Sequence, residues 1–191
     1  MKTSTLIIVL VVGFLTTSVS AQETIWMDAN WHKTDKEKAT YYRPAPKKQK
    51  NGFWIVDYFL NGTKQMEGFS FSAVLDNEKF DGLVKYYHSN GKIYQEIHFN
   101  DGLIQGERKI YYTSGQLKEQ KFYENGKIEG KFKAFHESGE TLELGSYSNG
   151  KKDGTWKIFY KNGKIKERGK YDKGEKIGIW KTFYKNVYKQ P

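Results

Sequence analysis

Gly154-Thr-Trp-Lys-Ile-Phe-Tyr-Lys-Asn-Gly-Lys-Ile-Lys-Glu-Arg-Gly-Lys-Tyr-Asp-Lys-Gly174 is the stretch from which the fold can be read. Asn162-Gly163 sits between alternating residues. That is the strongest short-range hairpin signal, because a type I′ turn needs positive φ at both central positions. Centring a two-residue turn there sets Tyr160 opposite Ile165, Ile158 opposite Glu167, Trp156 opposite Gly169 and Gly154 opposite Tyr171.

The same pattern recurs outward along the chain. Glycines stand at Gly82, Gly106, Gly130, Gly154 and Gly178, each step being 24 residues, and two further series run in the same register: Gly91, Gly115, Gly139, Gly163 and Gly102, Gly126, Gly150, Gly174. A fixed period of this size marks a repeat array. Asn90-Gly91, Ser114-Gly115 and Ser138-Gly139 are the corresponding hairpin turns, and Asn125-Gly126 and Asn149-Gly150 are return turns to the next unit. The register then pairs Gly82 with Phe99, Gly106 with Tyr123, Gly130 with Tyr147 and Phe132 with Gly145, while Val84 and Arg108 face Ile97 and Lys121. Aromatic rings laid over cross-strand glycines are expected to fill the gap that a missing side chain leaves.

The fold class that follows is all-β, an elongated meander of tandem antiparallel β-hairpins. Residues 82–187 carry the regular units. Residues 52–81 form a degenerate first hairpin centred on Asn61-Gly62, which pairs Trp54 with Phe69 and Gly52 with Phe71, followed by a connection. From Gly178 to Tyr184 a single strand lacks a partner arm, Val187 standing where a turn glycine would recur, which reads as a terminal cap with a tail at 188–191. The lead-in 22–51 does not repeat. Thr34-x-x-Glu37 suggests a capping box, Arg43 to Lys50 a basic extended connector, and Trp26, Trp31, Tyr41 and Tyr42 are expected to cap the first hairpin. Met1–Ala21, with Lys2, the apolar run Leu6 to Leu15 and Val19-Ser20-Ala21, reads as a signal peptide cleaved after Ala21; the expectation is export to the periplasm, the cell surface or the medium.

Composition narrows the chemistry. The chain of 191 residues has no Cys, which excludes disulfides, thiol nucleophiles and Cys-ligated metals. The net charge is +10, but only Arg43, Arg108 and Arg168 are Arg, and phosphate forks and base readout favour Arg, so nucleic acid is not the expected partner.

Alternation gives the sheet two faces. One presents the stripe Tyr112, His136, Trp156, Tyr160, Trp180 and Tyr184, offered here as a candidate protein-binding surface. The other carries Lys85, Lys109, Lys133, Lys157 and Lys181, one per unit, beside Tyr87, Tyr111, Phe135, Phe159 and Phe183; this ladder is a candidate contact for an anionic membrane or other polyanion.

The units Tyr147-x-Asn-Gly-Lys-x-x-Gly-x-Trp-Lys-x-x-Tyr-x-Asn-Gly163 and Tyr171-x-x-Gly-x-x-x-Gly-x-Trp-Lys-x-x-Tyr184 resemble MORN repeats, most of all the bacterial variant known as the YwqK-type antitoxin family. The resemblance covers about residues 52–184. It implies a β-hairpin meander with scaffolding, dimerising or lipid-binding roles and no common enzymatic activity. The lead-in also looks similar to a segment preceding such repeats in some exported envelope proteins.

No cofactor, metal or catalytic residue is expected. His88 and His136 share one repeat position two units apart, roughly 20 Å by strand spacing, too far to share a metal. Glu119, Glu143 and Glu167 also recur at one position, where a role in charge pairing fits better than acid–base catalysis, because an active site is singular. The function expected is an exported noncatalytic scaffold or protein-interaction module. An immunity role against an exported toxin and peripheral polyanion binding are the alternatives, and self-association stays open.

Overall fold

The computed structural model describes residues 23–184. The signal segment Met1–Ala21, Val187 and the 188–191 tail lie outside the described residues.

Within them the chain forms one open antiparallel sheet of fourteen strands with no α-helix. The regular part is four hairpins: β6 (Phe80–Tyr87) with β7 (Ile93–Asn100), β8 (Leu103–Tyr111) with β9 (Leu117–Glu124), β10 (Lys127–Phe135) with β11 (Thr141–Ser148), and β12 (Lys151–Phe159) with β13 (Ile165–Asp172). They follow the earlier hairpin of β4 (Gly52–Phe59) and β5 (Lys64–Ser70), and β14 (Glu175–Thr182) closes the series. From β4 to β14 each strand pairs with its neighbours in chain order.

The expected pairs hold in the strand bodies: Gly154–Tyr171, Trp156–Gly169, Ile158–Glu167, Gly82–Phe99, Gly106–Tyr123, Gly130–Tyr147 and Trp54–Phe69. They fail at the hairpin tips. Ile165 pairs with Phe159, not Tyr160, and Lys166 is an extra, bulged residue. The cause is the turn. Gly163 N–H donates to the Tyr160 carbonyl and Tyr160 N–H to the Lys164 carbonyl, both at 2.9 Å. Of the central pair only Gly163 has positive φ, at 77°. The loop is therefore three residues long and ends on a left-handed glycine. The longer loop shifts the register by one, and the bulge at Lys166 restores it. The two-residue type I′ turn is instead the return turn. Asn125-Gly126 and Asn149-Gly150 have φ of 49° and 76°, and of 50° and 81°, and Asp101-Gly102 and Lys173-Gly174 match them.

The expected covering of glycines by aromatic rings needs a similar correction. Gly82, Gly130, Gly154 and Gly178 oppose aromatics or strand ends with open space where a Cβ would stand, and all four have positive φ. They form bulges facing the preceding hairpin, where Leu144 pairs with Lys157 but Ser146 with Asp153. A left-handed residue at each bulge favours Gly. The bulge re-aims the following side chain: a Cβ on Gly145 would lie 2.2 Å from the Trp156 ring, and one on Gly169 would lie 2.3 Å from Trp180. Each Trp thus covers the glycine of the strand before it. Gly52 is covered by Phe69, not Phe71.

Only one face is buried enough to form a core. Its first cluster is Ile55, Met66 and Val84, with Phe53, Phe80, Tyr86 and Phe99 packed against it. The second is Phe132, Ala134 and Trp156, joined by Leu142, Tyr147, Tyr171 and Trp180.

The lead-in does cap the sheet. β1 (Ile25–Met27) and β2 (Tyr41–Arg43) extend it beyond β4, with Trp31 stacked on Tyr41 at 4.4 Å and Tyr42 on Tyr58 at 5.3 Å. Two expectations change. The Thr34-x-x-Glu37 box is absent; Lys36–Lys38 is a single 3-10 turn preceded by Asp35, with no side-chain cap. Arg43 to Lys50 is not a plain connector. Arg43 ends β2 and is buried, and β3 (Lys47–Gln49) pairs with β4.

Candidate functional site

The aromatic stripe proves to hold the units together. The Tyr112 hydroxyl donates to the Phe135 carbonyl at 2.8 Å and the Tyr160 hydroxyl to the Phe183 carbonyl at 2.9 Å. At the same repeat position His88 Nε2 lies 3.2 Å from the Tyr111 carbonyl. These side chains tie three of the four regular hairpin tips to the next strand, so recurrence at this position serves the architecture. His136 occupies the position too, but its buried Nε2 has no partner. Trp156 is only 1% exposed and belongs to the core, which removes it from the accessible stripe. Its Nε1 donates to the Ser146 and Asp153 carbonyls, and Lys152 Nζ sits 3.8 Å from its ring centroid. Trp180 repeats this with Lys170 and Lys176 but stays half-buried. Tyr184, at 85% exposure, is the most open member.

Two of the three recurring glutamates are paired. Glu119 meets Lys121 at 2.7 Å and Glu143 meets Lys152 at 2.9 Å.

At the N-terminal end of the same face lies a cleft of about 550 Å³, whose charged floor sequence reading missed. Asp57 is fully buried and receives both Arg43 Nε, at 2.6 Å, and Arg43 Nη2, at 2.8 Å; Glu78 binds Arg43 Nη1. Burial pushes the Asp57 carboxyl above its usual value against the pull of Arg43. Burial pulls the Arg43 guanidinium down, but its bonds to Asp57 and Glu78 outweigh that and hold it above its usual range. Arg108 bonds Gln95 and the Tyr123 hydroxyl nearby. Nothing local in the sequence flags a pairing across 14 residues between a lead-in strand and a hairpin.

The second face carries the lysines as expected, one per unit, but they are not equivalent. Read across the strands, the row is Glu67, Lys85, Glu96, Lys109, Gln120, Lys133, Leu144, Lys157, Arg168, Lys181. At its start, charges alternate. Lys85 Nζ lies 3.9 Å from Glu96 and Lys64 2.8 Å from Glu67, while Lys109 turns to Glu107 at 2.7 Å. Lys85 and Lys109 are thus neutralised, and the expectation of a uniform five-lysine ladder does not hold. From Lys133 onward no acid remains in the row, and no ion pair engages Lys133, Lys157, Arg168 or Lys181 among the described residues.

A second substitution runs in step. The Tyr87 hydroxyl binds Glu67, and the Tyr111 hydroxyl donates to Glu96 at 2.7 Å. Burial and these carboxylates push both phenols above their usual range. Where the acids give way to Gln120, Leu144 and Arg168, the tyrosines give way to Phe135, Phe159 and Phe183. The signal was in the repeat columns, but only cross-strand register shows which columns meet.

Beside Lys157, Arg168, Lys170 and Lys181 the last hairpin and β14 form an open groove of about 420 Å³, walled by Ile177 and Ile179. Ile179 is 82% exposed.

Four consecutive segments, 80–101, 104–125, 128–149 and 152–173, match the family model described as a MORN repeat variant. They coincide with the four regular hairpins, and such an array is consistent with a repeat scaffold or interaction module. A comparison with curated proteins finds no match.

Proposed function

We propose that the chain is a noncatalytic interaction scaffold, exported by its N-terminal segment, that binds a partner protein at the β14 end of the sheet. The observation that supports this reading is the concentration of exposed apolar side chains there: Ile177, Ile179, Phe183 and Tyr184. Ile177, Ile179 and Phe183 share the lysine face and Tyr184 stands on the other; exposed large apolar groups gathered on one surface mark interaction sites, and repeat arrays present such surfaces in tandem. Tyr112 and Tyr160 are engaged in tethers and Glu119 and Glu143 in ion pairs, which fits a structural use of these repeat positions.

The test is capture from envelope extract and culture supernatant with the purified chain as bait, at low and high salt. A stoichiometric protein retained at high salt, and lost when Ile179 and Tyr184 are replaced by Ser, is the expected result. If the captured protein is a toxin, the scaffold has an immunity role. Capture of lipid or polyanion alone, released as salt screens the lysine face, overturns the proposal in favour of electrostatic surface binding.

A further inference from the structure

Charge is divided along the array. Residues 52–126 hold 8 Lys and Arg against 10 Asp and Glu, a net −2; residues 127–184 hold 14 against 8, a net +6. The excess converges on one row. Lys157, Arg168 and Lys181 stand on consecutive strands, about 4.8 Å apart by strand spacing.

The row ends at an open edge. β14 pairs with β13 on one side, and among the described residues no strand pairs with the other. Its eight residues leave outward backbone groups without a strand partner, and such an edge is a template for another strand. The opposite edge differs: it is the three-residue β1, itself part of the lead-in.

The chain shows what suits such an edge. Lys85 is flanked in its row by Glu67 and Glu96, so in this sheet a lysine strand accepts glutamates from both sides. On the other face Trp156 is buried because β13 follows it and Tyr171 packs edge-on to its ring at 5.7 Å. Among the described residues no strand follows Trp180, and it remains half-buried. A strand completing β14 therefore needs a carboxylate opposite Lys181 on the lysine side, where Glu175, Ile177 and Ile179 are its other neighbours, and an apolar or aromatic residue on the Trp180 side.

We infer that β14 accepts, by antiparallel β-addition, an extended segment of a partner protein in which acidic and apolar residues alternate. This inference rests on the interaction reading above and names the chemistry of its partner. A second copy is a poorer occupant, since a second β14 brings one carboxylate, Glu175 at the strand's start, against the two cations Lys176 and Lys181. The chain's own 185–191 segment is basic as well.

The probe is a blocked decapeptide alternating Glu with Val and Tyr, compared with its Lys-for-Glu counterpart, heparin and phosphatidylglycerol vesicles. Binding is followed by anisotropy, and hydrogen exchange locates it. The Glu peptide is expected to bind about fivefold more tightly than the Lys peptide, because a Glu opposite Lys181 gains where a Lys opposite it loses, a difference of about 1 kcal/mol. It should slow exchange of β14 amides, and the double variant Arg168→Glu, Lys181→Glu should reverse the preference. Lys157→Glu is a second variant, and near-unchanged melting of both variants shows that they fold. Equal binding of the two peptides, absence of protection in β14, binding of heparin or vesicles but not peptide, or sedimentation of a β14-protected dimer each overturns the inference. A partner captured from extract with undiminished yield by the charge-reversed chain overturns this inference and leaves the scaffold reading standing. Absence of any captured protein overturns that reading.

Discussion

Trp156 lies over Gly145 on the strand before it, close enough that a Cβ there would stand 2.2 Å from the ring, although the same Trp faces Gly169 on the strand after it. The cross-strand partner and the covered glycine are different residues, because the bulge at Gly154 tilts the Trp backwards.

Gly145→Ala should therefore displace a buried indole, costing about 1–3 kcal/mol as overpacking does. Gly169→Ala meets Trp180, which is half-buried and can swing outward, so its cost should be smaller. Thermal melts of the two variants check the order.

Gly154→Ala tests the other kind of glycine. Nothing lies within 4 Å of its Cβ position, but φ is +69°. The expected loss is about 1–2 kcal/mol from the left-handed backbone alone, with the near-ultraviolet circular dichroism of Trp156 preserved. A collapse of that signal would mean that packing, not φ, selects the glycine.

Asp57→Ala strands Arg43, leaving it only Glu78. Breaking a buried pair by removing one partner costs about 3–5 kcal/mol. Denaturant titration should show that loss, and Arg43→Met with Asp57→Leu should recover part of it.

Acid should weaken the front of the second face. Burial pushes Glu67 up, but its bonds to Lys64 and Tyr87 outweigh that and hold it below its usual value; the bond from Lys109 holds Glu107 below its own. A carboxylate lowered on folding contributes stability above its unfolded value, about 4.5, and loses it as pH falls through the lower folded value. Melting temperature should drop on acidification below about pH 4.5. Glu67→Gln, Glu107→Gln should give a shallower drop.

Tyr112→Phe removes one inter-unit tether and should cost about 1 kcal/mol. Faster hydrogen exchange at the hairpin tips on either side, with β4–β5 unaffected, is the pattern expected for a nearest-neighbour array.

Much of this molecule was legible in the residues themselves. The 24-residue period and the Asn-Gly and Ser-Gly pairs set the hairpins, the strand-body pairs and the two faces, because side-chain direction in a strand alternates with period 2. Column reading also placed the lysines on one face and the Trp series on the other. What it could not rank was exposure: Trp156 and Trp180 are the same residue in the same column, and only the strand after β12 buries the first.

The remainder was decided in three dimensions. The tip loops at Gly163 and its counterparts have three residues, with Lys166 and its counterparts bulged, because a hydrogen-bonded loop and its compensating bulge leave the strand-body register unchanged. Arg43 meets Asp57 because β2 docks beside β4, and no local pattern encodes that contact. The row from Glu67 to Lys181 became a charge gradient only when strand order put each column against its neighbours. Period and alternation are local properties that a chain carries in one dimension, whereas burial, ion pairing and the open edge of β14 depend on which strand comes to lie alongside.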